Sequence, residues 1–442
     1  MKYETELCEY RIIRDCGLVK IKKIVKASRL TNFYAHYYYI DKDNQGIIKP
    51  LDEQAAREAV AKALKDDNIS AALVFSESTK PLENLIDFDK KSEMEQRFTS
   101  TGVKFWKHRD AMLSYKKGKG NSIISTHVSP EGNCNLRCPY CSVTNRGLRN
   151  RIEFSDIVLY LEALIERGLK AVIITGGGEP VLYPEINKLI RYIKYEKGLD
   201  VALITNGTVL EKLERDVRGV FSWLRVSINI FKGWQEKIFI PEEIVNSPTT
   251  IGFSYVYTPE HAFETAADVK QSDILKAIGK LMDRFGAKYL RVLPNCLVTG
   301  DVFDAEHIMI DKLIKEMNDP RMFHQLKKHR TPSLKICHQS YFRPYLSEEI
   351  NPFTHKSGTV FPCDSLVLNK SVQKFIEKFV LCEPGRIKEY LDGKIRPNFV
   401  PSQDCSGCVF TNNLELIDDF VKNGAEQFST YAGVSLSHEN FV

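Results

Sequence analysis

Long apolar runs are missing from this chain. No stretch approaches the roughly 18 consecutive apolar residues of a membrane helix, which argues against a membrane-spanning protein. A secretory signal is missing too, because Met1-Lys-Tyr-Glu-Thr-Glu-Leu-Cys8 places charge where such a signal carries an apolar core. A surplus of one charge is also lacking. The 62 Lys and Arg against 57 Asp and Glu leave a net charge of +5, too mild to indicate nucleic acid as a partner. Disulfide-type cysteine usage is absent as well. The 11 cysteines are odd in number, and only Cys8 and Cys16 precede residue 134. That distribution suits metal ligation better than a disulfide framework, and a cytoplasmic location, where thiols stay reduced, is expected. With 442 residues and 43% apolar content, two or three domains with ample core are expected.

What is present is concentrated in Cys134-Asn-Leu-Arg-Cys138-Pro-Tyr-Cys141, a C-x3-C-x2-C run. Iron–sulfur clusters are held by cysteine thiolates, usually four of them. Three in one loop cover three irons of a 4Fe-4S cube and leave the fourth iron to another ligand. Zinc usually takes four closed ligands in C-x2-C pairs, and no local His or Cys supplies a fourth. With Tyr140 just before the last cysteine, the run resembles the signature of the radical S-adenosylmethionine (SAM) superfamily. The resemblance implies that Cys134, Cys138 and Cys141 ligate a 4Fe-4S cluster whose open iron is chelated by the amino and carboxylate groups of SAM. It implies that one electron from the cluster cleaves SAM, and that the 5′-deoxyadenosyl radical so formed takes hydrogen from the substrate. A flavodoxin or ferredoxin is the implied electron donor.

Residues 1–120 precede this loop and hold no chemical motif. Residues 8–14 and 18–26 read as strands around Cys16-Gly17, and 33–40 and 46–51 as strands around a hairpin signal. Residues 52–65 read as a helix and 71–75 as a short strand. This α/β appendage is a scaffold or a substrate-recognition domain. Its order loosely resembles the leader-peptide-binding domains of radical SAM peptide maturases. Residues 116–120 are a basic linker.

From residue 121 strands and helices alternate, the sign of a parallel α/β sheet. Strands are expected at 123–128, 170–175, 201–205, 223–230, 250–257 and 289–293. Helices are expected at 155–167, 184–196 (with Pro184 in its first turn), near 209–217, and at 272–285. Six units suggest a partial (β/α)6 barrel over residues 121–330, the fold that the resemblance implies. Sites in parallel barrels lie at the C-terminal ends of the strands. There, Gly177, Gly178 and Glu179 of Thr175-Gly-Gly-Gly-Glu179 resemble the family's GGE motif, which binds the SAM amino group. Thr205 and Asn206 are similar to the segment near the ribose. Arg225, Ser227 and Asn229 share one face of a strand. The resemblance makes this stretch a contact for the SAM carboxylate or ribose, although the family commonly has Asp where Asn229 stands. Leu293 lies where relatives hold the adenine. For the strand positions, plain barrel packing is the competing reading.

Residues 331–442 carry Cys337, then Cys363 in Gly358-Thr-Val-Phe-Pro-Cys363, then Cys382, and Cys405-Ser-Gly-Cys408. Cys337, Cys363, Cys405 and Cys408 resemble the ligands of a Twitch extension, the shorter form of the SPASM domain, which carries one auxiliary 4Fe-4S cluster. Four cysteines also suit zinc. Cys382 is a spare thiol or a replacement ligand. Cys296 is a buried thiol or faces the substrate. Tyr341, Arg343 and Asp364, beside auxiliary ligands, either touch substrate or hydrogen-bond locally. The resemblance implies a radical SAM oxidoreductase that modifies a peptide. A small-molecule dehydrogenase acting on a sugar or aminocyclitol is the alternative, and a non-enzymatic metal scaffold the remote one.

Overall fold

The alternating strands and helices build one parallel sheet. The computed structural model describes the backbone of five strands between residues 2 and 47. It also describes residues 91–442, apart from 119, 139, 144–145, 232, 258–269, 297–300, 328–329 and 369–374. Seven parallel strands lie side by side in chain order: β6 (Ser125–Val128), β7 (Ala171–Ile174), β8 (Asp200–Thr205), β9 (Trp223–Ile228), β10 (Thr250–Tyr257), β11 (Tyr289–Pro294) and β12 (Met322–His324). This is a partial barrel of the TIM type. It has one strand more than the six expected. β12 is only three residues long, too short for a period-2 pattern to be legible, and the helix Asp301–Met317 before it also went unread. The helix expected from 184 begins at Ile186, beyond Pro184, and its second half is a π-turn, Tyr192–Glu196.

Alternation along each strand sorts the two faces. Val172, Ile174, Val201, Leu203, Leu224, Val226, Ile228, Phe253, Leu290 and Val292 point outward. They form one core with Ile157, Leu161 and Leu164 of the helix Phe154–Ile165 and with Ile274, Ile278 and Met282 of Gln271–Phe285. Each such side chain contributes about 1.5–3 kcal/mol on burial. Gly286, at φ 65°, closes the latter helix in the left-handed conformation that a side chain resists.

The inward face is closed at its N-terminal end. Phe441 packs there on Trp223, Ala171, Ile173 and Ala202. Phe98 stacks on Tyr289 at 4.5 Å. Tyr289 in turn covers Gly252, where a Cβ would lie 2.0 Å from its ring. Residues near the end of the chain therefore form the barrel floor.

A hairpin, β13 (Tyr345–Ile350) and β14 (Ser357–Phe361), extends the sheet. β13 runs parallel to β6, and β14 antiparallel to β13. This brings the residues after β14, Cys363 among them, to the barrel wall. The segment before the barrel also joins the C-terminal part. Phe105, Trp106 and Met112 share a core with Phe342, Ile417, Phe420 and Val442.

A separate five-stranded antiparallel sheet comprises β1 (Lys2–Glu4), β2 (Cys8–Asp15), β3 (Leu18–Val25), β4 (Ala35–Asp41) and β5 (Gly46–Ile47). The strands expected on either side of Cys16-Gly17 pair from Cys8↔Val25 to Asp15↔Leu18. The helix expected at 52–65 and the strand at 71–75 lie outside the described residues.

Candidate active site

The cysteine loop leaves β6 at the C-terminal mouth of the barrel and is tied to the glycine loop that leaves β7. Gly178 N–H donates to the Glu131 carbonyl (2.9 Å) and Glu179 N–H to the Asn133 carbonyl (2.8 Å). The glycines are required by contact. A Cβ on Gly178 would stand 1.9 Å from the Asn133 carbonyl oxygen, and one on Gly177 1.5 Å from Glu348 Oε1. Glu348 comes from β13 and accepts from Ser129 Oγ (2.5 Å), which itself accepts from Gly177 N–H (2.6 Å). Neither Ser129 nor Glu348 carries a motif, so the sequence reading missed both.

The three thiols feel one another. Burial pushes the Cys138 thiol up to about 11, and neighbouring Cys141 and Cys134 add to the rise. Arg146 donates to Cys141 Sγ at 3.2 Å, and Asn206 Nδ2 lies 3.9 Å from Cys134 Sγ. N–H groups aimed at sulfur are what cluster thiolates use. Among the described residues no three His, Cys, Asp or Glu side chains are gathered closely enough to hold a metal ion. Three thiols at the open mouth of a barrel are a donor set that fits an iron–sulfur cluster.

Glu179 sits directly beside them and is 2% exposed. It accepts hydrogen bonds from Thr205 Oγ1 (2.6 Å), Asn206 N–H (2.7 Å) and Val181 N–H (3.2 Å). All three donors are neutral. Burial therefore pushes its carboxyl up to about 7, against the pull of these bonds. A buried carboxylate without a cation is a receptor for an ammonium group. The SAM amino group matches it chemically.

The expected inward face of β9 is observed, but its members part company. Asn229 accepts from the Tyr140 hydroxyl, so the residue at the family's Asp position is engaged by the cysteine loop itself. Ser227 stands one layer below, level with Ser254 and Arg291. Arg225 stands lower still. It donates to Tyr289 Oη (3.1 Å) and to the Phe98 carbonyl (3.0 Å), which commits it to the barrel floor rather than to the mouth. Leu293 faces the interior at the level of Asn229 and is buried. Thr205, Asn206, Glu179 and Cys134 thus form one group, Tyr140, Asn229 and Ser227 a second, and Arg225 belongs to neither.

A second set of thiols forms across the barrel wall. Cys363 is pushed well up by burial and then by Cys337, Asp364, Cys408 and Cys405. Cys337 is pushed up to about 12 by burial, with Cys408 beside it. These four thiols feel one another's charge, and four cysteines are the donor set of a four-cysteine cluster or zinc, although among the described residues no three of them are gathered into a ready metal site. Cys382 stands apart. It is buried, bridges to Val360 and packs in the barrel core, and no other cysteine is among the charges acting on it. Asp364 links the second set to the interior, for it pairs with Arg343 (3.1 Å) and His127 (3.4 Å). Burial pushes the Asp364 carboxyl up, but Arg343 and His127 outweigh it and hold it low. Tyr341 stacks on Tyr390 at 5.1 Å. Cys296 lies close enough to Lys327 to affect its charge.

A parallel partial barrel with three thiols at its mouth and a buried carboxylate beside them defines a cofactor-binding core. Residues 128–233 match the radical SAM superfamily, and this segment belongs to it. Such proteins use a 4Fe-4S cluster and SAM. Among curated relatives, the GTP 3′,8-cyclase of Aliarcobacter butzleri (strain RM4018) is 26% identical over 203 residues, 45% of this chain and 54% of that protein. The probable GTP 3′,8-cyclase of Methanococcus vannielii is 35% identical over 101 residues, 22% of this chain and 34% of that one. The chain spans about half the length or less of these relatives. Among solved structures, Streptococcus suis SuiB bound to precursor peptide SuiA has a TM-score of 0.38 and 14% identity, over 84% of this chain and 85% of that one.

Proposed function

We propose that this radical SAM enzyme is an oxidoreductase with one auxiliary 4Fe-4S cluster, and that its substrate is a peptide. Cys134, Cys138 and Cys141 hold the SAM-binding cluster. Gly177, Gly178, Glu179, Thr205, Asn206, Ser227, Asn229, Tyr140 and Leu293 surround SAM. Cys337, Cys363, Cys405 and Cys408 hold the auxiliary cluster. Bound together, the first cluster and SAM supply hydrogen-atom abstraction. This chain's residues receive the SAM ammonium at Glu179, shape the loop through Gly177 and Gly178, and seal the floor against water with Phe98, Phe441 and Tyr289.

The observation that carries the oxidative reading is the link Cys363–Asp364. The four C-terminal thiols meet at Cys363, and the next residue reaches His127 of β6 inside the barrel. An electron acceptor there borders the barrel interior from the level of its floor. Loss of a hydrogen atom to the radical, then of one electron and one proton, oxidises the substrate by two electrons. The peptide reading is supported by the separate N-terminal sheet, since sheet edges take peptides by strand addition. In this reading residues 1–120 recognise the peptide, 121–330 form the SAM barrel and 331–442 the auxiliary domain. A flavodoxin or ferredoxin is the electron donor and the cytoplasm the location. The nine described cysteines are free thiols, and no helix among the described residues is long and apolar enough to cross a membrane.

Anaerobic reconstitution tests the proposal. About eight irons per chain are expected, with about four remaining in Cys363→Ala. Four irons and one zinc in the wild type would refute the auxiliary cluster. For the substrate, a short peptide encoded beside this gene is expected to bind and to leave lighter by two hydrogens. A peptide that neither binds nor changes mass under reducing conditions with SAM removes that part of the reading.

A further inference from the structure

The barrel interior holds more positive charge than its own carboxylates answer. Lys104 and Arg225 line a floor cavity of ≈ 40 Å³ together with Phe98, Tyr289 and Phe441. Their partners are neutral: Lys104 donates to the His438 carbonyl (3.2 Å), and Arg225 to Tyr289 and the Phe98 carbonyl. One layer higher stands Arg291, paired in register with Ser254, which is itself level with Ser227. Arg291 donates to Ser254 Oγ (2.8 Å) and to Gln325 Oε1 (3.1 Å), again neutral groups. Gln325 continues the line of β12, with its N–H on the Val292 carbonyl (2.8 Å). Lys327 follows two residues later, beyond the end of β12, close enough to Arg291, Asp364 and Cys296 to feel their charges. Two acids, Asp364 and Glu95, stand nearby for these cations. Asp364 is shared by Arg343 and His127, and Glu95 pairs with Lys91 at 2.9 Å through one oxygen while its other oxygen is buried without a hydrogen-bond partner.

Recessed cations without counter-ions are costly unless a ligand brings the opposite charge. Burial holds both Arg291 and Lys327 below their ordinary values; Arg225 adds to this at Arg291 and Arg291 adds to it at Lys327, while the Asp364 carboxylate pulls both the other way. Both feel Asp364, the residue after Cys363. Arg291 is two residues, roughly 7 Å, below the layer where Asn229 meets Tyr140. A planar guanidinium beside an ammonium suits a carboxylate or phosphate.

We propose that Arg291 and Lys327 form an oxyanion-anchoring subsite in mid-barrel, which holds a carboxylate or phosphate of the substrate beneath SAM. The subsite rests on the reading of the barrel as the substrate chamber of a radical SAM enzyme. The anchor sets which substrate hydrogen faces the mouth, and it favours acidic substrates over neutral ones.

The test uses the reconstituted full-length holoenzyme, titrated calorimetrically with inorganic pyrophosphate and with glutarate at fixed ionic strength, with and without saturating SAM. One-site binding is expected for at least one anion, undiminished by SAM, and weakened about tenfold or more in Arg291→Met and in Lys327→Met. If one variant fails to fold, the other is read, together with the melting-point rise that the anion gives the wild type. Equal affinity in wild type and variants, or no binding of either anion at millimolar concentration, overturns the subsite. Displacement of the anion by SAM also overturns it and assigns these cations to the SAM carboxylate. Anion binding as expected in a wild type that makes no 5′-deoxyadenosine on reduction supports the subsite, while it refutes the proposed function.

Discussion

Glu179→Gln separates a receptor for ammonium from an ordinary loop carboxylate. In the folded chain without SAM, burial raises Glu179 from 4.5 to about 7. The folded state therefore holds a proton that the unfolded state releases, and folding stability falls as pH rises through that window. Integrated between pH 5 and pH 8, the penalty grows by about 2.5 kcal/mol. Gln carries no such dependence. It does leave one backbone N–H, of Val181 or Asn206, facing an amide NH2, which costs about 1–3 kcal/mol at every pH. The variant is thus expected to be less stable than wild type at pH 5, and the gap to close or reverse by pH 8. The assay is urea unfolding of cluster-free wild type and variant at both pH values. Glu348, also raised to about 7 by burial, titrates in the same window but cancels in the difference. A gap that stays constant within about 0.5 kcal/mol from pH 5 to pH 8 refutes the buried, cation-free carboxylate. In the holoenzyme the same substitution is expected to weaken SAM binding by about tenfold to a hundredfold, the worth of a charge-assisted hydrogen bond.

Three further outcomes are expected. Gly178→Ala drives a Cβ against the Asn133 carbonyl, so a stability loss of about 1–3 kcal/mol and failure to bind SAM should appear in melting and titration; wild-type affinity would show that the loop is free to move. Cys382→Ala should keep the full iron content, whereas Cys408→Ala should lose about half of it; equal loss would make Cys382 a ligand. Tyr289→Phe removes a partner of buried Arg225, and a stability loss of about 1–3 kcal/mol with unchanged iron content is expected in thermal unfolding.

Much of the site could be read without coordinates. Cys134, Cys138 and Cys141 lie within eight residues of one loop, and no fold is needed to bring them near one another. The strand limits at 250–257 were legible because a regular alternation over that length is strong. The glycines of the β7 loop announce a close approach. Arg225 shows the limit of the same logic. Alternation put it on the inward face, as observed, but its height along the strand makes it a floor residue, and height depends on what fills the barrel from elsewhere in the chain. Phe98, Phe441 and Tyr289 fill it here.

The sequence by itself determined the chemistry available to this protein: three closely spaced thiols, a glycine loop ending in Glu179, and a parallel strand–helix core around them. These are local features, set by spacing and periodicity. Only the tertiary structure decided that Glu179 meets neutral donors alone and that Glu348 braces the glycine loop from 171 residues away. It also packed Cys382 into the barrel core against Val360 and gave Arg291 neutral hydrogen-bond partners in Ser254 and Gln325. These are properties of burial and of contacts between distant segments. Charge balance in a closed space depends on which segments enclose it, and no window of sequence contains that information.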